Sequence, residues 1–223
     1  METRRVRGDE RTIPPWRVLL IGGSSGVGKT LVARALARRY DRSIVLLDDL
    51  RLALQHVTTP QSHPALHYFS ATPDVWLHTP EENRDARIAV SEAMWRAVAI
   101  VMTHHIVVEG TGAVIIEGDD LLPRMAAQRH FPDLNYFTGL TITDEVRAVI
   151  IHEPDEAAIL ANMRRRGRGF DELAEDVQEQ VARASWLHGE WLRQEAERHG
   201  VPVVPSRPHQ TLIERIAART TQR

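Results

Sequence analysis

The chain has no cysteine, which excludes disulfides, thiolate metal sites and cysteine nucleophiles and fits a reducing compartment. It also lacks any apolar run near the ~18 residues that a membrane span requires. The basic N-terminus METRRVRGDERTIPP runs into an acidic, proline-ended stretch, not into the apolar core of a signal peptide. A formal charge of −2 supplies no bulk basic field. No aromatic-studded basic groove stands out either, so nucleic acid is disfavoured as a partner. These absences lead to the expectation of a soluble cytoplasmic protein with no membrane partner.

What is present suits one α/β domain. A chain of 223 residues, 43% hydrophobic, can bury a sizeable core. Five short runs rich in Val, Ile and Leu read as strands: WRVLLIGG (16–23), SIVLLD (43–48), HHIVVEG (104–110), VRAVIIH (146–152) and VPVVPS (201–206). They lack polar alternation, as parallel strands covered on both faces do. Helical patterns alternate with them. Residues 29–40 place Leu31, Val32, Ala35 and Leu36 on one face, and residues 84–103 repeat Ile88, Trp95, Val98 and Met102. A charged helical segment covers 171–199. The expectation is a three-layer fold with a mainly parallel five-stranded sheet and helices on both faces. GLTITD (139–144) is either a further strand or a loop. Residues 56–83, with four prolines and four histidines, read as an irregular insert covering a site. The ends, 1–15 and 217–223, read as flexible, and 16–216 as the domain.

GGSSGVGKT follows the first strand and opens the first helix, matching G-x-x-x-x-G-K-[ST] from Gly23 in the strand–loop–helix setting that this motif needs. The backbone of Gly23, Ser24, Ser25, Gly26, Val27 and Gly28 can form an anion nest at the positive end of a helix. Lys29 then reaches the β- and γ-phosphates, and the Thr30 hydroxyl takes a place on Mg²⁺. The pattern predicts ATP binding as the magnesium complex.

Beyond the second strand lie Asp48, Asp49 and Arg51, at the sheet edge where ligands of parallel α/β proteins gather. A carboxylate there accepts a proton from an acceptor hydroxyl or holds the waters of Mg²⁺, and Arg51 balances charge or grips an anionic acceptor. Helix capping is the plainer alternative for the acids. Glu109, ending HHIVVEG, has the form of an acid that contacts the metal, usually through water. Arg164, Arg165, Arg166 and Arg168 in NMRRRGRGF suit a lid at about 162–172 that closes over the transferring phosphoryl group, with Arg164 and Arg168 on one face. His63 and His67 lie four apart, but Pro64 argues against a helix that would align them on zinc. Trp76, Trp95, Trp186 and Trp191 read as packing residues.

DDLR resembles the D-D-x-R segment of small P-loop kinases, polynucleotide kinases among them. That resemblance implies that Asp48 is the base, Arg51 the substrate clamp, and Asp49 a cap or metal-shell residue. More widely, IGGSSGVGKT, LDDLRLAL, HPALHYFSA, VVEGTGAVI and WLHGEWLRQEAERHGVPVVPS resemble segments of the 2-phosphoglycerate kinases over most of residues 16–216. YFSA stands where that family has S-S-Y, and EGTGAVI where it has E-G-V-H. The resemblance implies ATP-dependent phosphorylation of a small, anionic acceptor such as 2-phosphoglycerate. GGSS also occurs in chloramphenicol phosphotransferase-like enzymes, so an antibiotic or a polynucleotide 5′-hydroxyl stays open as acceptor. A regulatory ATPase without an acceptor is the rival class, and oligomeric state stays open.

Overall fold

The computed structural model describes residues 14–107, 113–128, 146–167 and 169–221. Strands β1 (Val18–Gly22), β2 (Ser43–Leu46), β3 (Val114–Glu117), β4 (Val146–His152) and β5 (Val203–Pro205) form one sheet in the order β2-β3-β1-β4-β5. Every pairing is parallel. Helices α1 (Lys29–Tyr40), α2 (Leu47–Val57), α3 (Pro64–Ala71), α4 (Pro80–Val107), α5 (Pro123–Ala126), α6 (Glu156–Arg166), α7 (Glu175–Arg198) and α8 (Leu212–Thr221) surround it.

The continuous apolar composition of β1 has a direct consequence: all five of its residues are buried, because the sheet is covered on both sides. Leu19 and Ile21 point to one face, where Val32, Leu36 and Tyr40 of α1 and Ile216 of α8 pack with them. Val18 and Leu20 point to the other, against Val98, Met102 and Ile106 of α4. The expected three-layer α/β fold is therefore observed.

Several boundaries differ from the sequence reading. His104–Val107 belong to the last turn of α4 and not to a strand. The remainder of HHIVVEG, with Glu109, lies outside the described residues, as do GLTITD, Arg168 and residues 1–13. The third strand is VIIE, ten residues later than expected. Its branched side chains fill both faces of the sheet centre, whereas HHIV continues the helical stripe of Val98 and Met102 through Ile106. Residues 56–83 are largely helical. Pro64 and Pro80 occupy first helical turns, where a missing N–H costs nothing. Thr79 and Glu82 close a reciprocal capping box, with Thr79 N–H donating to the Glu82 carboxylate at 2.9 Å and Glu82 N–H to the Thr79 hydroxyl at 3.2 Å. Leu31 is solvent-exposed, because α1 buries the neighbouring Val32–Ala33–Leu36 stripe. The C-terminus is structured beyond 216: α8 runs to Thr221 and buries Ala217 and Thr220.

Candidate functional site

The phosphate loop takes the shape its glycines allow. Gly23 has φ +143°, and a Cβ there would lie 2.4 Å from the Ile151 carbonyl of the neighbouring strand. Gly28, at φ +92°, turns the chain into α1. Two helices brace the loop from outside. Asn162 of α6 donates to the Gly26 carbonyl at 2.9 Å, and the Ser185 hydroxyl of α7 donates to the Ser25 carbonyl at 2.9 Å. Gly189 of α7 sits so close to Ser24 that an added Cβ would meet its Oγ at 2.9 Å.

Lys29 and Thr30 open α1 beside the end of β3, which pairs with β1 so that Ile21 stands opposite Glu117. Thr30 Oγ1 donates to Glu117 Oε1 at 2.7 Å. Lys29 Nζ donates to the Ser24 carbonyl at 2.9 Å and forms a close ion pair with Asp119. The strand thus delivers three acids, Glu117, Asp119 and Asp120, into the crevice. Burial pushes Glu117 up, against the opposing pull of Lys29 and the Thr30 hydroxyl. Burial also works against ionised Asp119, but Lys29 and then Arg87 outweigh it and hold that carboxyl well below its ordinary range. Asp120 is fully buried and pushed up by burial, despite Arg51 and Arg87.

The residues expected from the second strand occupy the first turn of α2, which starts at Leu47 and not near Leu50. Asp49 is not the cap: Leu46 holds that position, with no side-chain capping bond. Asp49 is exposed and has no hydrogen bond or ion pair among the described residues, so nothing joins it to Thr30. Arg51 bridges two carboxylates, Asp48 at 2.8 Å and Asp120 at 2.9 Å, and so ties α2 to the segment after β3. The Asp48 side chain is 54% exposed.

A cavity of about 440 Å³ opens from Ser25 and Asp119 between the α3–α4 segment and the α6–α7 segment. Its walls carry Phe69 and Trp76, stacked at 5.7 Å with an interplanar angle of 24°, and Phe170 from the opposite side. The Arg87 guanidinium lies over the Phe69 ring at 4.6 Å. Trp76, expected to be a packing residue, is a partly exposed wall residue, while Trp95 is in the core. His188 lines the cavity too. Burial and the nearby Arg87 push its imidazole down to about 3, so it is neutral at physiological pH.

The arginine cluster divides. Arg164 donates to Gln178 at 2.7 Å and pairs with Glu175 at 3.3 Å, so it links α6 to α7. Arg165 donates to Asn162 at 2.6 Å. Arg166 lines the cavity and has no hydrogen bond or ion pair among the described residues. His67 is buried and shares a hydrogen bond with Thr58 at 2.9 Å, while His63 is exposed. Among the described residues no group of three or more His, Asp or Glu side chains is disposed to hold a metal.

No protein-family model matches the chain, and no curated protein matches it. Solved structures align over most of its length at low identity. A shikimate kinase from Acinetobacter baumannii, in complex with shikimate, is 13% identical with a TM-score of 0.45, over 94% of this chain and 91% of that one. A gluconokinase from Sinorhizobium meliloti is 15% identical with a TM-score of 0.47, over 94% and 93%. A deoxyadenosine kinase from M. mycoides with bound dATP is 13% identical with a TM-score of 0.46, over 92% and 100%. These likenesses are distant.

Sequence reasoning missed Glu117, Asp119, Asp120, Arg87 and His188. A signal for the acids existed: VIIEGDD repeats the form of VVEG, an apolar run closing on Glu-Gly, eight residues further on. Nothing in the sequence pairs Arg87 with Phe69 or His188 with Asp119, because the members of each pair stand on different elements that only the fold brings together.

Proposed function

We propose that the protein is a kinase that moves the γ-phosphoryl group of ATP to a hydroxyl of a small acceptor. The observation that carries this reading is the placement of Lys29 and Thr30. Both phosphate-loop side chains meet carboxylates of one strand end, and Asp119 among these lines the adjoining cavity. A nucleotide site with a roomy pocket at its phosphate end suits transfer to an acceptor.

The loop N–H groups and Lys29 would bind the β- and γ-phosphates. Thr30 and Glu117 present an oxygen pair of the kind that suits Mg²⁺, a hard cation that keeps few protein ligands and relies on phosphate for others. When bound, that ion neutralises charge on the phosphate oxygens. The acceptor oxygen forms a bond to the γ-phosphorus as the bond from that phosphorus to the bridging oxygen of ADP breaks. The hydroxyl proton passes to a carboxylate. We assign that role to Asp119, which lines the cavity, in preference to Asp48, which is exposed and held by Arg51. Arg166 takes the place of Arg164 as the arginine that faces the transfer, since Arg164 is bound to α7.

The test is ADP release with and without acceptors, beginning with 2-phosphoglycerate, which the sequence resemblance names, and extending to sugars, phenicol antibiotics and 5′-hydroxyl oligonucleotides. Release that depends on an added acceptor supports the kinase. Equal turnover without any acceptor would make the protein an ATPase and overturn the reading.

A further inference from the structure

Within the kinase reading, the cavity beyond Asp119 narrows the class of acceptor. We propose that it takes a polyhydroxylated ring bearing a carboxylate or phosphate, a larger and less linear molecule than a three-carbon phosphorylated acid.

Charge is the first argument. Arg87 and Arg166 line the cavity, and neither forms an ion pair among the described residues. The one carboxylate in the wall among the described residues, Asp119, is already matched by Lys29. The surplus is therefore positive, and an anionic group on the ligand answers it. Arg87 is held at the wall by its guanidinium lying over Phe69, and the guanidinium N–H groups make no hydrogen bond among the described residues.

Shape and polarity add the ring. A volume of about 440 Å³ falls in the range of sites for complete small ligands. Phe69, Trp76 and Phe170 give it apolar walls that a short acyclic phosphate would leave wet. Two wall residues also carry buried polar atoms without partners, His188 Nε2 and Asn83 Oδ1. The residues are 2% and 4% exposed, and the Asn83 amide nitrogen is already spent on the Val75 and His78 carbonyls. Buried polar atoms are normally satisfied, so these two call for groups that the ligand brings. Asn83 Oδ1 needs a donor. Neutral His188 offers either a donor or an acceptor at Nε2, according to tautomer. Ring hydroxyls meet both requirements, and a further hydroxyl reaches Asp119.

The experiment is acceptor-dependent ADP release with glucose 6-phosphate and quinate as ring anions, glucose as the uncharged ring, and 2-phosphoglycerate as the three-carbon anion. A ring anion is expected to show a KM at least ~10-fold below those of glucose and 2-phosphoglycerate. Which of the two ring anions is preferred separates phosphate from carboxylate. Arg87→Gln should raise KM for the ring anion ~10-fold or more with kcat far less affected, and Arg87→Lys should recover only part of it. Trp76→Ala, at a partly exposed position, should raise KM for rings alone. Equal or better turnover of 2-phosphoglycerate overturns the ring proposal and leaves the kinase intact. ATP binding with no release from any of the four compounds also overturns it. Failure to bind ATP, or turnover indifferent to every acceptor, overturns the kinase reading itself.

Discussion

The two sides of the crevice are built on different principles. One side is a continuous stretch, β1 through the glycine-rich loop into α1, whose geometry follows from glycines and a helix start. The cavity side is assembled from α2, α3, α4, the tail of β3 and α7, which meet only in the folded chain. A local element can be written in nine consecutive residues, whereas an assembled one is held by pairs such as Arg51–Asp120 and Arg87–Phe69.

Changing Asp119 breaks the comparison most sharply, because this residue lines the cavity yet pairs with Lys29 of the loop side. Asp119→Asn is expected to lower kcat by about 10²–10⁴-fold, the usual range for a general base. Asp48→Asn should stay within about tenfold of the parent, as expected for an exposed group. If the two variants exchange places in single-turnover assays, the base is Asp48. Lys29→Met comes next, with a loss of about 10²–10³-fold in phosphoryl transfer. Filter binding of labelled ATP should separate that loss from loss of affinity.

Two smaller effects bear on stability. A Cβ on Gly118 would stand 2.6 Å from Leu47 Cβ, where α2 presses on the β3 tail. Gly118→Ala is therefore expected to cost about 1–3 kcal/mol in chemical denaturation, the range for overpacking. His188 gives a pH-dependent test. An unfolded histidine takes up a proton near 6.5, whereas this buried one does so only near 3. The unfolded state binds more protons across that window. Stability is thus complete above about 6.5 and lost as pH falls towards 3, with a slope of up to about 1.4 kcal/mol per pH unit from this group. His188→Gln should flatten the slope in pH-dependent urea melts.

Legibility in the sequence follows the same division. VRAVIIH and the span of α1 appear with the boundaries expected of them, since their patterns are local and unopposed. The third strand was displaced because two apolar runs close on Glu-Gly, and short branched runs do not tell a buried helix end from a strand. Pro64 and Pro80 look like breaks in the chain, but in first helical turns they start helices. Arg51 suggested a clamp for substrate, and only the fold brings Asp120 up to occupy its second edge. The acids of the first α2 turn were visible as a pair, but their division of labour depends on what approaches from β3.

The contact between Lys29 and Asp119 has a kinetic consequence. A triphosphate competes with the carboxylate for this ammonium, so a nucleotide that draws Lys29 away uncovers Asp119. Burial then acts on that acid with Arg87 as the main remaining counterweight, and its appetite for a proton rises once a nucleotide is in place. An acceptor arriving first meets a carboxylate already engaged. The two substrates should therefore bind in a preferred order, nucleotide before acceptor. Product inhibition by ADP, competitive with ATP at every acceptor concentration, is the pattern that such an order leaves.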